Sequence, residues 1–408
     1  MTRTQKIIGA GIAILLLGGL FAFFIFRNNS SNEGGAGASD ASGLFPTSDG
    51  TSVSQTGGRG SSAALSLDGN VGEGAALPSD GAKLTSGRVA GMVAFGGDDP
   101  FVRYAEKDTG HIFDRHANAD AAIKISNTTI VQIAKAIWSP DGKTVVFQID
   151  SNIGAYTHSA YALPSASSTE ISLTPIAFPR GVVEFAFSPD GKELFFLRGS
   201  GAGVKGLVVT LSTRKEREIW SSPLSEWQIS WTDPRQILLT TKASSGIEGV
   251  ALSIDPKTGT ERLLAEGTAG IQALLSPDGK RLLVTENSSA GLRTKMVTLS
   301  LGSSYEFDPV TLLEKCTWGK TSTLYCAAPL VWPATALPDA WYKGLFHTAD
   351  ALWGFSRTGF IEKLFDGTDG KRGFIDIINL TPDENDRFVY FINKADQTLW
   401  RVQIDQEE

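Results

Sequence analysis

The decapeptide W138-SPDGKTVV-F147 returns as F187-SPDGKELF-F196 and as L275-SPDGKRLL-V284. A polar pentapeptide recurring ahead of an apolar run is either a repeated active-site loop or a repeated turn. In Ser-Pro-Asp-Gly-Lys, proline presets φ for the second turn position and aspartate suits the third. Glycine accepts the left-handed conformation that closes a type I turn with a bulge. The motif stands between two apolar strands each time, so it reads as a hairpin turn repeated because a larger unit is repeated.

The unit is visible around it. Short runs such as TVVFQI, ELFFLR, LVVTLS, QILLTT, RLLVTE, KMVTLS, RFVYFI and LWRVQI are separated by Gly, Pro, Asp, Asn and Ser, and none sustains a helical period. Serines at 139, 188 and 276 mark three copies. Degenerate copies put Trp231, Trp318 and Thr381 where the serine is expected, which gives spacings of 49, 43, 45, 42 and 63 residues. A further unit precedes the first motif, with RVAGMVAF, FVRYAEK, GHIFDRH and AAIKISN as its strands. A period near 45 residues with four strands per unit is that of a propeller blade. The fold class expected is therefore all-β: a β-propeller of four-stranded blades, seven by this count, with six or eight as neighbouring solutions. The last unit shows three strands, so the final blade is either three-stranded or completed by chain near 85–95.

WSPDGK, FSPDGK and LSPDGK, each followed by an apolar strand, resemble the repeats of the TolB-like, WD-type β-propeller family, and similar repeats occur in the propeller domains of some prolyl peptidases. The resemblance covers about residues 120–400 and is carried by turns, so it implies a fold: blades around a central channel, with ligands bound near the channel mouth. Two departures matter. An apolar segment and a Gly/Ser-rich stretch stand where the TolB-like proteins carry a separate domain, and no α/β-hydrolase half follows.

The domain organisation expected is an anchor over 1–27, a linker over 28–84 and the propeller over 85–408. From Ile7 to Phe26 the chain runs twenty residues without a charge, long enough to cross a bilayer as a helix. Arg3 and Lys6 precede it; Arg27 follows, then an acidic stretch, a small bias that favours the N-terminus inside and the body outside the cytoplasmic membrane, as a single-pass protein. A cleaved signal peptide is the competing reading. FIFRNNSS has no small-x-small cleavage site and the run is longer than a usual signal core, which favours an uncleaved anchor. Residues 28–84 are rich in Gly, Ser, Ala and Asp and cannot bury enough apolar surface to order themselves. As a flexible coil this tether has a typical span of about 40 Å and a stretched limit of about 190 Å.

Few motifs carry chemistry. A net charge of −7 without a basic face excludes a nucleic-acid binder of the usual kind. GAGVKG at 201–206 has the spacing of a dinucleotide loop but leads into a strand, where the pyrophosphate needs a helix N-terminus. His111, His116, His158 and His347 form no ligand pair, no GxSxG occurs, and the acidic turns do not make a calcium loop. No cofactor and no metal are expected, and no catalytic residue is assigned.

The 63-residue interval is the informative irregularity. Its extra residues carry Trp332, Trp341, Tyr342, Phe346 and His347 among prolines, between the second and third strands of a blade by the family resemblance. Aromatics on a proline-stiffened loop suit a binding site near the channel mouth, and equally a lid that packs its own aromatics. Cys316 and Cys326 flank the turn of the same unit: a cross-strand disulfide brace, or two buried thiols. The function expected is a scaffold that binds an envelope protein, peptide or polysaccharide, through a monomeric propeller body. The alternative is an envelope hydrolase or lyase whose site lies at the channel mouth, assembled from several blades. A structural subunit associating through blade sides is a third class.

Overall fold

The computed structural model describes residues 81–151, 156–164, 171–356, 361–370 and 372–404. The expected anchor at 7–26 and the linker up to residue 80 lie outside them; no described helix is long and apolar enough to cross a membrane.

Seven four-stranded antiparallel sheets follow one another along the chain. Blade 1 comprises Val89–Phe95, Phe101–Glu106, Ile112–His116 and Ile123–Ser126. Blade 2 comprises Ile133–Trp138, Thr144–Asp150, Tyr156–Ala162 and Thr174–Ile176; blade 3, Val182–Phe187, Glu193–Ser200, Gly203–Thr210 and Glu216–Ser222. Blade 4 is Trp227–Asp233, Gln236–Thr241, Glu248–Ile254 and Glu261–Ala269; blade 5, Gln272–Leu275, Arg281–Ser288, Gly291–Thr298 and Ser303–Glu306. Blade 6 is Cys316–Trp318, Leu324–Pro329, Asp350–Phe355 and Ile361–Asp366. Blade 7 has Ile377–Pro382, Phe388–Asn393 and Leu399–Gln403, and its fourth strand is Ala82–Lys83 from the other end of the described chain.

The strands alternate because their sequences do, and the buried faces meet between blades. Among the described residues seven hydrophobic clusters fill the seven junctions between neighbouring blades, including the junction of blade 7 with blade 1, where Tyr390, Leu399 and Phe388 pack on Val102 and Tyr104. The ring is thus closed by apolar burial as well as by strand pairing. Inner strands approach closely: a β-carbon on Gly91 would lie 2.0 Å from the Ala136 carbonyl oxygen of the next blade.

The SPDGK segments are the turns between first and second strands. In each, the glycine N–H donates to the serine carbonyl at 2.9 Å, with Gly142, Gly191 and Gly279 at φ +63°, +69° and +67°. The serine hydroxyl donates to the aspartate at 2.6–2.7 Å and accepts the N–H of the residue that opens the next strand. GAGVKG is likewise a hairpin, with Ser200 opposite Gly203.

Two sequence expectations are corrected. In blades 6 and 7 the serine's place is taken by Gly319 and Asp383, whose carbonyls accept the N–H groups of Ser322 and Asp386 at 3.2 Å. Trp318 instead ends its inner strand as Trp138 does, Trp231 lies inside the inner strand of blade 4, and Thr381 inside that of blade 7. The closing strand is Ala82–Lys83, upstream of 85–95, within residues read as linker; 89–95 serve as the inner strand of blade 1. Two paired residues carry no alternating pattern. Their anchoring is specific all the same: Lys83 bonds Asp396 at 2.9 Å, and Leu84 donates its N–H to Leu399.

Candidate functional site

In an antiparallel blade the second-to-third connection and the blade-to-blade connections share one face, and the SPDGK turns occupy the other. The insertion of blade 6 runs from Pro329 to Asp350 on the connection face and contains one helical turn, α1 (Asp339–Tyr342). Prolines at 333 and 338 restrict the chain on its way to α1, with Pro338 as its N-cap.

This insertion is a cap that reaches three other blades. Asp339 accepts the backbone N–H of Ser245 in blade 4. Asn287 of blade 5 donates to the Leu337 carbonyl at 2.7 Å, and Gln272 of blade 5 donates to the Tyr342 hydroxyl at 2.7 Å. Lys394 of blade 7 donates to the Trp341 carbonyl at 2.9 Å. A segment rooted in blade 6 that contacts blades 4, 5 and 7 crosses the connection face as a chord.

The expected site aromatics hold this cap down. Trp341 is only 2% exposed and packs with Leu312 and Leu337, supported by Leu292, Trp332, Tyr342, Phe346 and Ile378. Trp332 donates its indole N–H to the Val310 carbonyl at 2.8 Å. Tyr342 donates to Glu314, a carboxyl that burial pushes above its ordinary range. The exposed apolar side chains of the insertion are ones the sequence reading passed over: Leu330, Val331 and Leu345, at 78%, 80% and 73% exposure. Leu330 and Val331 line an open cleft of about 400 Å³, together with Pro329, Pro333, Phe346, His347 and Thr348 among others.

Beneath the cap lies a charged cluster in an apolar setting. Lys315, at the end of a 3-10 turn leading into blade 6, is fully buried. Its ammonium is 2.6 Å from Asp350 Oδ2, 2.5 Å from Asp376 Oδ1 and 2.9 Å from Thr348 Oγ1, and both carboxylates are fully buried. Asp376 also accepts from the Thr348 hydroxyl at 2.9 Å and the Trp341 indole N–H at 3.0 Å, and its Oδ2 lies 3.2 Å from His347 Nδ1. Asp350 has fewer partners: Oδ2 accepts the Ile377 N–H at 2.8 Å, and Oδ1 is buried with no hydrogen-bond partner. The two acids part accordingly. Burial pushes Asp350 above the ordinary carboxylate range; burial acts the same way on Asp376, but the Lys315 charge and its other donors hold Asp376 below it. His347, about one-third exposed, links the cluster to the cleft.

The predicted site residues thus meet in one place. Cys316 and Cys326 lie directly opposite each other on the first two strands of that blade and are disulfide-bonded, with Cα atoms 4.2 Å apart. His111, His116 and His158 lie in blades 1 and 2, and among the described residues no group of His, Cys, Asp or Glu is placed to hold a metal ion. Sequence reading missed Lys315, Asp350 and Asp376. For Asp376 the local signal is a lone charge inside an apolar run, GFIDIINL.

No family model matches the chain, and no curated protein matches its sequence. Solved structures do match. An oligogalacturonate lyase in complex with manganese aligns with TM-score 0.55 at 11% identity, covering 81% of this chain and 97% of that one. An oligogalacturonate lyase from Vibrio parahaemolyticus aligns with TM-score 0.53 at 10% identity over 79% of this chain and 93% of that one. TolB from Acinetobacter baumannii aligns with TM-score 0.41 at 14% identity, over 79% of this chain and 65% of that one. At these identities the likeness of the two lyases shows the β-propeller fold alone.

Proposed function

We propose that this protein is a membrane-anchored, extracytoplasmic propeller that binds a partner in the cell envelope on its capped face. The observation that carries this reading is the division of labour in the insertion. Its aromatics are spent inward, fixing a cap by contacts to three other blades, while Leu330, Val331 and Leu345 stay in solvent, the first two lining a cleft. Exposed apolar side chains clustered on a rigid mount suit a binding surface, because little ordering entropy is lost on association. The uncharged run at 7–26 and the polar stretch after it support this reading, since a body anchored through them would reach envelope proteins, peptides or polysaccharides.

The test uses substitutions that leave the cap's internal contacts intact. Leu330→Ser, Val331→Ser and Leu345→Ser together, in the full chain, are expected to abolish co-purification of the envelope partner while the thermal midpoint holds. Retention of every partner by this variant refutes the reading.

A second reading rests on a specific contact. His347 Nδ1 is 3.2 Å from the buried Asp376, with its ring at the cleft, a pairing that orients an imidazole for general acid–base work. Under this reading the protein is an envelope hydrolase or lyase, and His347→Ala removes turnover while partner co-purification persists.

A further inference from the structure

Lys315 lies against two carboxylates in a water-excluded cluster, and the partners of the two acids differ. Asp376 is held as an anion by donors on both oxygens. Asp350 has one oxygen bound to Lys315 and the Ile377 N–H, and one oxygen with nothing bound to it. Salt bridging alone explains one acid well and leaves the other with a buried, unsatisfied atom. From this geometry we propose that Lys315 and Asp350 become joined by an intramolecular amide bond after folding, with Asp376 carrying the protons.

The reaction is a condensation and needs no external reagent. A proton passes from the Lys315 ammonium, by way of Asp376, to Asp350 Oδ1, giving an amine beside a neutral acid; a buried ion pair carries a desolvation cost that such an uncharged pair avoids. The amine nitrogen attacks Asp350 Cγ, one bond beyond the oxygen it already contacts at 2.6 Å. Oδ2 takes the developing negative charge and is steadied by the Ile377 N–H, as an oxyanion is by a fixed backbone donor. Asp376 then accepts a second proton, from the nitrogen now bonded to Cγ, and delivers it to the Oδ1 hydroxyl, which has no other partner. The N–Cγ bond forms, the Cγ–Oδ1 bond breaks, and one water leaves. His347, next to Asp376 and partly exposed, is the outlet of the cluster toward solvent.

Two features favour the amide over the free pair. Folding holds the reactants at hydrogen-bond distance, equivalent to an effective molarity of about 10⁵–10⁸ M in well-oriented intramolecular reactions. Trp341 covers the lysine, its ring centre 5.0 Å from Nζ, and keeps hydrolytic water out. The bond would tie the two ends of the segment 315–350, which contains the disulfide and the whole cap. It is independent of which partner or substrate the capped face serves.

The test is mass spectrometry of the full chain after disulfide reduction. The wild type is expected to be lighter by one water than its sequence. A proteolytic digest should contain the Lys315 peptide covalently linked to the Asp350 peptide, with Lys315 uncut by trypsin. Lys315→Arg, which keeps the cation but has no condensing amine, should have the full mass. Asp376→Asn, which removes the proton carrier, should yield unlinked peptides. A wild type of full mass with Lys315 and Asp350 in separate peptides overturns the proposal, and linkage persisting in Asp376→Asn overturns the role given to that residue.

Discussion

Replacing Trp341 separates the contributions that hold the cap to the propeller. The side chain is 2% exposed, packs in the Leu312–Leu337 cluster, and donates its indole N–H to the Asp376 carboxylate at 3.0 Å. Two lysine side chains face its ring, Lys394 with Nζ at 4.5 Å and Lys315 with Nζ at 5.0 Å. Trp341→Ala removes all of these, and truncating a buried aromatic costs about 3–5 kcal/mol. Trp341→Phe keeps a ring for the two lysines and much of the packing but deletes the N–H. A hydrogen bond to a charged group contributes about 1.5–3 kcal/mol. Asp376 retains its contacts with Lys315, Thr348 and His347, so the Phe variant belongs at or below the lower end of that range. Guanidinium unfolding followed by circular dichroism measures the global cost, and hydrogen exchange over 330–349 locates it. The expected result is a large loss for Ala, a smaller one for Phe, and in both a selective loss of protection in the insertion. Costs below about 1 kcal/mol for both variants, with protection unchanged, would refute the reasoning, because a well-packed anchor cannot be removed so cheaply.

Three further perturbations probe other parts of the structure. Glu314 is half-buried and its folded-state pKa is raised, chiefly by loss of solvation, despite donors from Tyr342 and Gln272 and the charge of Lys315, so the native state binds its proton more tightly than the unfolded chain. Stability then falls as pH rises from the ordinary glutamate value through the raised one; Glu314→Gln should flatten that slope in unfolding curves taken across the range. Gly91→Ala drives a β-carbon to 2.0 Å from a backbone oxygen of the next blade and should lower stability by about 1–3 kcal/mol or more, read as a fall in thermal midpoint. A chain beginning at Thr85 loses the closing strand and bares the Leu399–Gln403 edge; it should self-associate in light scattering where the parent remains dispersed.

Much of this architecture was legible because it rests on local chemistry. Pro, Asp and Gly at fixed turn positions announce a hairpin wherever they occur, and three intact copies suffice to reveal a period. The insertion was legible as an excess over that period. Legibility ended where a property depended on residues far apart. Trp318 was misplaced by one position because the glycine after it does the serine's backbone work without a side chain to mark it. Aromatics such as Trp341 look the same in sequence whether a loop presents them or buries them; only the partners at Leu312 and Asp376 decide. Lys315, Asp350 and Asp376 fall in three separate stretches, and no spacing rule joins them. Completion of the last blade by the N-terminal side is expected near 85–95 and falls at Ala82–Lys83 instead, because two residues cannot show a pattern of period two.

The central claim, that the capped face is the binding face, is tested most directly by photo-capture. A photo-crosslinking residue in place of Val331, 80% exposed on the cap, is compared with one in place of Lys192, in an exposed SPDGK turn of the opposite face. Both full-length proteins are irradiated in the native envelope, and adducts are identified by mass spectrometry. A discrete adduct is expected from position 331 and none matching it from position 192. Equal labelling from both positions, or none from 331, would contradict it.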